Sequence, residues 1–380
     1  MRPSHILAAL TAGSLGLTLT ACGGSDAATD TTAAAGGPIA VKASDTACEV
    51  TRTEVAAGTS VFAITNGGQK VTEFYVYAPG DRVMAEVENI APGLSRNLHV
   101  ELPAGTYETA CKPGMIGKGI RGQLTVSGSA APLTDDAALL AATDSYSRYV
   151  KSQTAALLEK TTEFVTLVKN GDVAGAKAMF PIARTYWERI EPVAEIFGDL
   201  DPRIDGREEV TEEGLKFGGF HKIEQDLWQK NDISQSGPVA DQLLTDVKEI
   251  VTKANAEKLS PLQLANGAKA LLDEVAAGKI TGEEDRYSHT DLWDFNANVD
   301  GSKAAIASLR PVLEERDAAL VKTLDTEFAN VDAALAKHRS GDGWKLHTDL
   351  SQADLKELSD AINALAEPIS QVAAVVAKKA

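Results

Sequence analysis

Between residues 38 and 127 apolar residues alternate with polar ones in short runs, whereas beyond residue 133 they recur every three or four positions. The first pattern predicts half-buried strands and the second amphipathic helices. Segments 60–65, 71–77, 98–102 and 123–126 read as strands, separated by the turn formers Asn66-Gly67-Gly68, Ala78-Pro79-Gly80 and Pro103-Ala104-Gly105. A sandwich of small sheets is the compact solution for 38–127. Residues 128–133 read as a linker. Thr134-Asp135-Asp136 then opens a helix that reaches Lys169, with Leu139, Tyr146, Val150, Leu157, Val165 and Val168 at helical spacing and Asn170-Gly171 as its stop. Further helices are predicted over 172–197, 209–230, 237–256, 261–278, 302–323, 325–339 and 352–378. So many helices exceed one bundle, so 134–380 is expected to be an all-α domain of two bundle-like halves. Thr162-Glu163-Phe164, echoed by Thr326-Glu327-Phe328, agrees with a doubled plan.

With 380 residues, 44% of them hydrophobic, the chain can fill more than one core, and an aromatic content of only 5% in an Ala- and charge-rich sequence excludes an all-β protein. Lys and Arg number 37 against 54 Asp and Glu, a net charge of −17, of which −15 lies beyond residue 127. Such a field opposes binding to nucleic acid or to an anionic membrane surface and makes cations the natural cargo of the helical part.

Residues 1–21 read as a signal peptide: Arg2 and His5 precede an apolar run, 6–19, too short for a permanent spanning helix. The run ends Leu19-Thr20-Ala21-Cys22-Gly23, which resembles the bacterial lipobox. That resemblance implies cleavage before Cys22 and its acylation. Residues 22–37, rich in Gly, Ala, Thr and Asp, then form a flexible tether. The mature chain is expected to be exported and lipid-anchored at the outer face of the cytoplasmic membrane, or periplasmic.

Cys48 and Cys111 lie near the two ends of the β-domain, and in an exported protein they can close a disulfide. Alternatively, Cys111-Lys112-Pro113-Gly114-Met115 puts a thiolate and a thioether on one Gly/Pro-rich loop, a pairing that suits copper. Here the chain resembles the cupredoxin family. Glu73, in Val71-Thr72-Glu73-Phe74-Tyr75, stands where that family offers a His, and the usual late-loop His is missing. The resemblance implies a small all-β cupredoxin-like sandwich with a mixed site in which Cys48, Glu73, Cys111 and Met115 hold copper or iron, in competition with a Cys48–Cys111 bridge.

In the helical domain, His221 and Glu224 stand three residues apart, on one face of a helix, so that an imidazole and a carboxylate can approach one ion. Glu188 and Glu191 share another face, Asp199-Leu200-Asp201-Pro202-Arg203-Ile204-Asp205 reads as an acidic loop, and Gly282-Glu283-Glu284-Asp285 opens a third acidic run that continues to Asp294. Glu208, Glu209, Glu212 and Glu213 read as helix-end acids. These segments together resemble the imelysin-like family, once labelled a peptidase family. With the cupredoxin-like domain and the signal, the whole mature chain is similar to its iron-uptake lipoproteins. The resemblance implies an iron site built on His221 and Glu224 with Glu188, Glu284, Glu191 and Asp205, and a lipid-anchored protein that captures ferrous or ferric iron beside a membrane permease and a secreted haem peroxidase. Copper in the β-domain would shuttle electrons. The alternatives are a metallopeptidase, although no second His completes a His-Glu-x-x-His helix, and a haem- or polysaccharide-binding lipoprotein.

Overall fold

The computed structural model describes residues 37–378. The expected signal segment, the expected lipidation site at Cys22 and nearly all of the expected tether lie outside the described residues. Among the described residues no helix is long and apolar enough to cross a membrane.

Nine strands form the first layer: β1 (Ile39–Ala43), β2 (Cys48–Val50), β3 (Glu54–Ala56), β4 (Gly58–Asn66), β5 (Thr72–Ala78), β6 (Arg82–Ile90), β7 (Ser95–Leu102), β8 (Gly105–Pro113) and β9 (Ile120–Ser127). They make two sheets, ordered β2-β1-β4-β7 and β3-β9-β8-β5-β6. The pairs β1–β4 and β3–β9 are parallel. Side chains alternate across each strand, so Phe62 and Ile64 of one sheet meet Phe74, Val76 and Leu124 of the other in a closed core. Strand β5 is buried on both faces. Phe74 and Val76 point into the sandwich, while Glu73, Tyr75 and Tyr77 face the helical layer.

Cys48 and Cys111 are bonded to each other, with 5.5 Å between their Cα atoms. The bridge ties β2 of one sheet to β8 of the other. Closing a loop of 63 residues removes about 4 kcal/mol of unfolded-chain entropy. This corrects the expectation of a sulfur-based copper site. Both sulfurs are spent, and the alternation of β5 against β8 pairs Phe74 with Cys111 on the core side and Glu73 with Lys112 on the opposite side. Glu73 therefore cannot share an ion with Cys111. Met115 lines the cleft on the Glu73 side.

The helical layer comprises α1 (Ala137–Lys169), α2 (Val173–Glu188), α3 (Glu191–Ala194), α4 (Leu200–Asp205), α5 (Gly219–Glu224), α6 (Gly237–Ala256), α7 (Pro261–Glu274), α8 (Asp291–Ala336) and α9 (Gln352–Val376). Asp136 caps α1 by accepting from the N–H groups of Ala138 and Leu139. The described residues of this layer gather into two apolar cores. One gathers the first half of α1 with α7, α8 and α9, the other the second half of α1 with α2, α5 and α6. Several elements differ from the sequence expectation. The acidic stretch before Gly206 is the short helix α4, because Pro202 sits in its first turn and favours helix entry. The helix expected over 209–230 is split into a 3-10 turn (Glu208–Glu213), α5 and a following π-turn. The two expected over 302–323 and 325–339 are one long element from Asp291, broken only at Asp317 (φ −161°, ψ 76°).

The two layers pack into one compact unit. Arg82 pairs with Glu257, Asn266 donates to the His99 carbonyl at 2.9 Å, and Glu101 accepts from the Leu133 N–H at 2.7 Å.

Candidate metal centre

Helix α5 has only six residues, yet it turns both His221 and Glu224 inwards and buries them. Its first residue, Gly219, has φ 63°, and a Cβ there would collide with the carbonyl of Ile204 in α4. Only glycine lets the two helices approach so closely, which brings Asp205 at the end of α4 beside His221. Directly after Glu224 the chain winds as a π-turn (Gln225–Gln229), and a second π-turn (Val275–Lys279) ends on the fully buried Lys279. Single π-turns of this kind gather at functional sites because they shift the side chains that follow out of helical register.

His221 Nδ1 lies 2.9 Å from Glu224 Oε2. The other oxygen of Glu224 accepts from the backbone N–H groups of Tyr287 and Ser288, at 3.0 and 2.7 Å. Glu224 is thus locked in place and orients the ring. On the other side, Nε2 lies 3.3 Å from Glu284 Oε1 and 3.6 Å from Asp205 Oδ1. Asp205, His221 and Glu284 offer one ligand atom each within 4.8 Å of one another, and His221, Glu224 and Asp285 form a second such group around Nδ1. Glu188 and Glu191 lie alongside and face cations of the protein. Glu188 pairs with Arg184 Nη2 at 2.5 Å and with Lys279 Nζ at 3.4 Å, and Glu191 is 3.9 Å from Lys279.

The pocket is acidic beyond what its own cations cover. Oxygens of Asp291 and Asp294 are buried with no hydrogen-bond partner. Burial pushes Glu188, Glu191 and Asp294 up despite Lys279 or Arg184, and raises Asp285 to about 7. Glu284 behaves oppositely: burial would raise it, but Lys279, Arg207 and His221 hold it well below the usual carboxylate range. For His221, burial and Arg184 push downwards, while Asp205, Glu224 and Glu284 outweigh them and carry the ring up to about 10. An ion binding at Nε2 must therefore expel a proton. Metal affinity is expected to rise by about tenfold per pH unit over neutral pH for one proton released. Calorimetry in buffers of different ionisation enthalpy reads that proton directly.

Asp205 and Glu284 open onto a cavity of 390 Å³ that also contains Glu191, Arg207, Glu274 and Met115. A neighbouring cavity of 340 Å³ lies against β5, where burial raises Glu73 to about 7 against the pull of Lys112. The structure thus brings Asp205, His221, Glu224, Glu284, Glu188 and Glu191 into one buried cluster and leaves Cys48, Cys111 and Glu73 outside it, while Met115 lines the cavity onto which Asp205 and Glu284 open. The sequence alone does not single out Arg184 and Lys279, the two buried cations that partly offset the acids of the site. Arg184 has a signal, because it stands four residues before Glu188 on one helix face. Lys279 has none.

The imelysin family model matches residues 142–372, and a cupredoxin-like domain model matches residues 12–126. The chain is 40% identical over 345 residues to the proteins named iron uptake system component EfeO in Escherichia coli O157:H7, Escherichia coli K12 and Shigella flexneri, over 89% of this chain and 91% of each relative. It belongs to the imelysin family, in the form that carries a cupredoxin-like domain ahead of the helices.

Proposed function

We propose that this chain is the exported, lipid-anchored iron-binding component of an EfeUOB-type iron uptake system. It captures iron at Asp205, His221 and Glu284, with Glu224 orienting the imidazole, and passes it to an EfeU-type membrane permease beside an EfeB-type haem peroxidase. Acylated Cys22 and the tether keep it at the membrane. The observation that carries this reading is the buried group of two carboxylates and one imidazole, in a chain similar over nine-tenths of its length to named iron uptake components. Hard oxygen ligands with a single imidazole suit iron in either oxidation state. Binding is favoured over peptide hydrolysis because both oxygens of Glu224 are engaged, which leaves that carboxylate unable to serve as a general base. The test is an anaerobic titration of the mature full-length chain with ferrous iron, set against an optical titration with haem. Saturable iron binding is expected, and haem binding in its place would overturn the reading.

A further inference from the structure

We propose, on the iron-binding reading above, that Arg184 is a tethered counter-cation that pairs with the ligand carboxylates and fills the space beside the imidazole until iron displaces it. Arg184 is fully buried. Its Nη1 is ion-paired with Asp205 Oδ1 and lies 3.2 Å from His221 Nε2, and its Nη2 donates to Glu284 Oε1 at 3.2 Å. One guanidinium thus touches all three ligand atoms. Metal–ligand bonds of about 2 Å to the same atoms require the space that the two Nη atoms fill. Ion and guanidinium exclude each other.

The side chain has somewhere to go. Its Nε lies 3.3 Å from Asp285 Oδ1 and 3.2 Å from Asp294 Oδ2, and Nη2 also pairs with Glu188 Oε1 at 2.5 Å. None of these three acids belongs to the Asp205–His221–Glu284 group, and Asp294 keeps a second buried oxygen with no hydrogen-bond partner. A swing of the guanidinium towards Asp285, Asp294 and Glu188 surrenders the ligand atoms without leaving a buried charge alone, the condition under which such a move is affordable. Without iron, the guanidinium itself offsets charge at Asp205 and Glu284. An ion of charge one gains little over the guanidinium already present, so loading selects multivalent cations. On release, Arg184 refills the site and opposes recapture, which suits a protein that must give its cargo away.

The deciding variant is Arg184→Lys. A lysine ammonium ends about where the guanidinium carbon stands, one bond beyond the Nε that faces Asp285 and Asp294 and one bond short of the two Nη atoms that face Asp205, His221 and Glu284. It keeps the charge and vacates the ligand atoms. Anaerobic calorimetry with ferrous iron is expected to show affinity increased by about tenfold or more, the scale of a lost charge-assisted contact, with slower loss of iron to a chelator. Unchanged affinity would make Arg184 a bystander charge, and weaker affinity would make it a scaffold for the ligands. Either result overturns the proposal. Arg184→Met is expected to bind more tightly still and to melt at lower temperature when iron-free, and weaker binding by this variant in folded form overturns the proposal equally. Failure of the underlying reading looks different: the wild-type chain would bind no ferrous iron, or would bind it undiminished after His221→Ala.

Discussion

His221→Ala is expected to weaken ferrous iron binding by about a hundredfold or more, with far-UV circular dichroism essentially unchanged. The scale follows because even groups that only orient a metal ligand are worth about 10- to 100-fold in affinity, and Nε2 is the only nitrogen in the Asp205–His221–Glu284 group. Helicity is preserved because α5 is a short element held by its neighbours, with Phe220 and Ile223 in the surrounding apolar core. Glu224→Ala should fall between this variant and the wild type. It removes the acceptor at Nδ1 and frees the ring to rotate, while the three ligand atoms remain. Anaerobic calorimetry on the two variants checks the order. Equal losses would make Glu224 a ligand in its own right.

Lys279→Met is expected to lower the stability of the iron-free protein by about 3–5 kcal/mol, the range for leaving one side of a buried ion pair uncompensated. Lys279 is fully buried, with Glu188 at 3.4 Å, Glu274 at 3.5 Å and Glu284 at 3.6 Å. Burial already pushes Glu188 up, and without the ammonium it must rise further. A carboxyl whose folded pKa is raised contributes its full stability only below its unfolded range, about 4.3, and loses it as pH climbs through the folded value. The deficit of the variant should therefore widen between about pH 5 and pH 7. Denaturant titration at the two pH values measures it, and a pH-independent deficit would locate the damage in packing instead of charge.

How far the sequence foretells this molecule depends on what each residue's neighbours in the chain reveal. The switch from alternating to helical periodicity near residue 130 marks the two layers, because both patterns record which face is buried. The His221–Glu224 pair and the acids around Glu188 and Glu284 are legible as local spacing. The division of labour between His221 and Glu224 is not, since it depends on two backbone N–H groups at Tyr287 and Ser288, some sixty residues away. Asp285 and Asp294 stand in an obviously acidic run, yet nothing local says which of its acids turn inwards. The failure of the cupredoxin-like copper set is legible in retrospect. Phe74 and Glu73 are neighbours on one strand, so if the first faces the core with Cys111 the second must face away. Lys279 stays invisible because a π-turn shifts register without a sequence pattern to announce it.

Helix α1 runs unbroken for 33 residues, about 50 Å, and contributes to both apolar cores. Two lobes threaded on one continuous rod have no joint in that rod at which to gape, so a jaw-like closure of one lobe on the other would have to bend α1 itself. On the iron-binding reading, loading and unloading then fall to single side chains such as Arg184, fast and local, on a frame that the rod holds together.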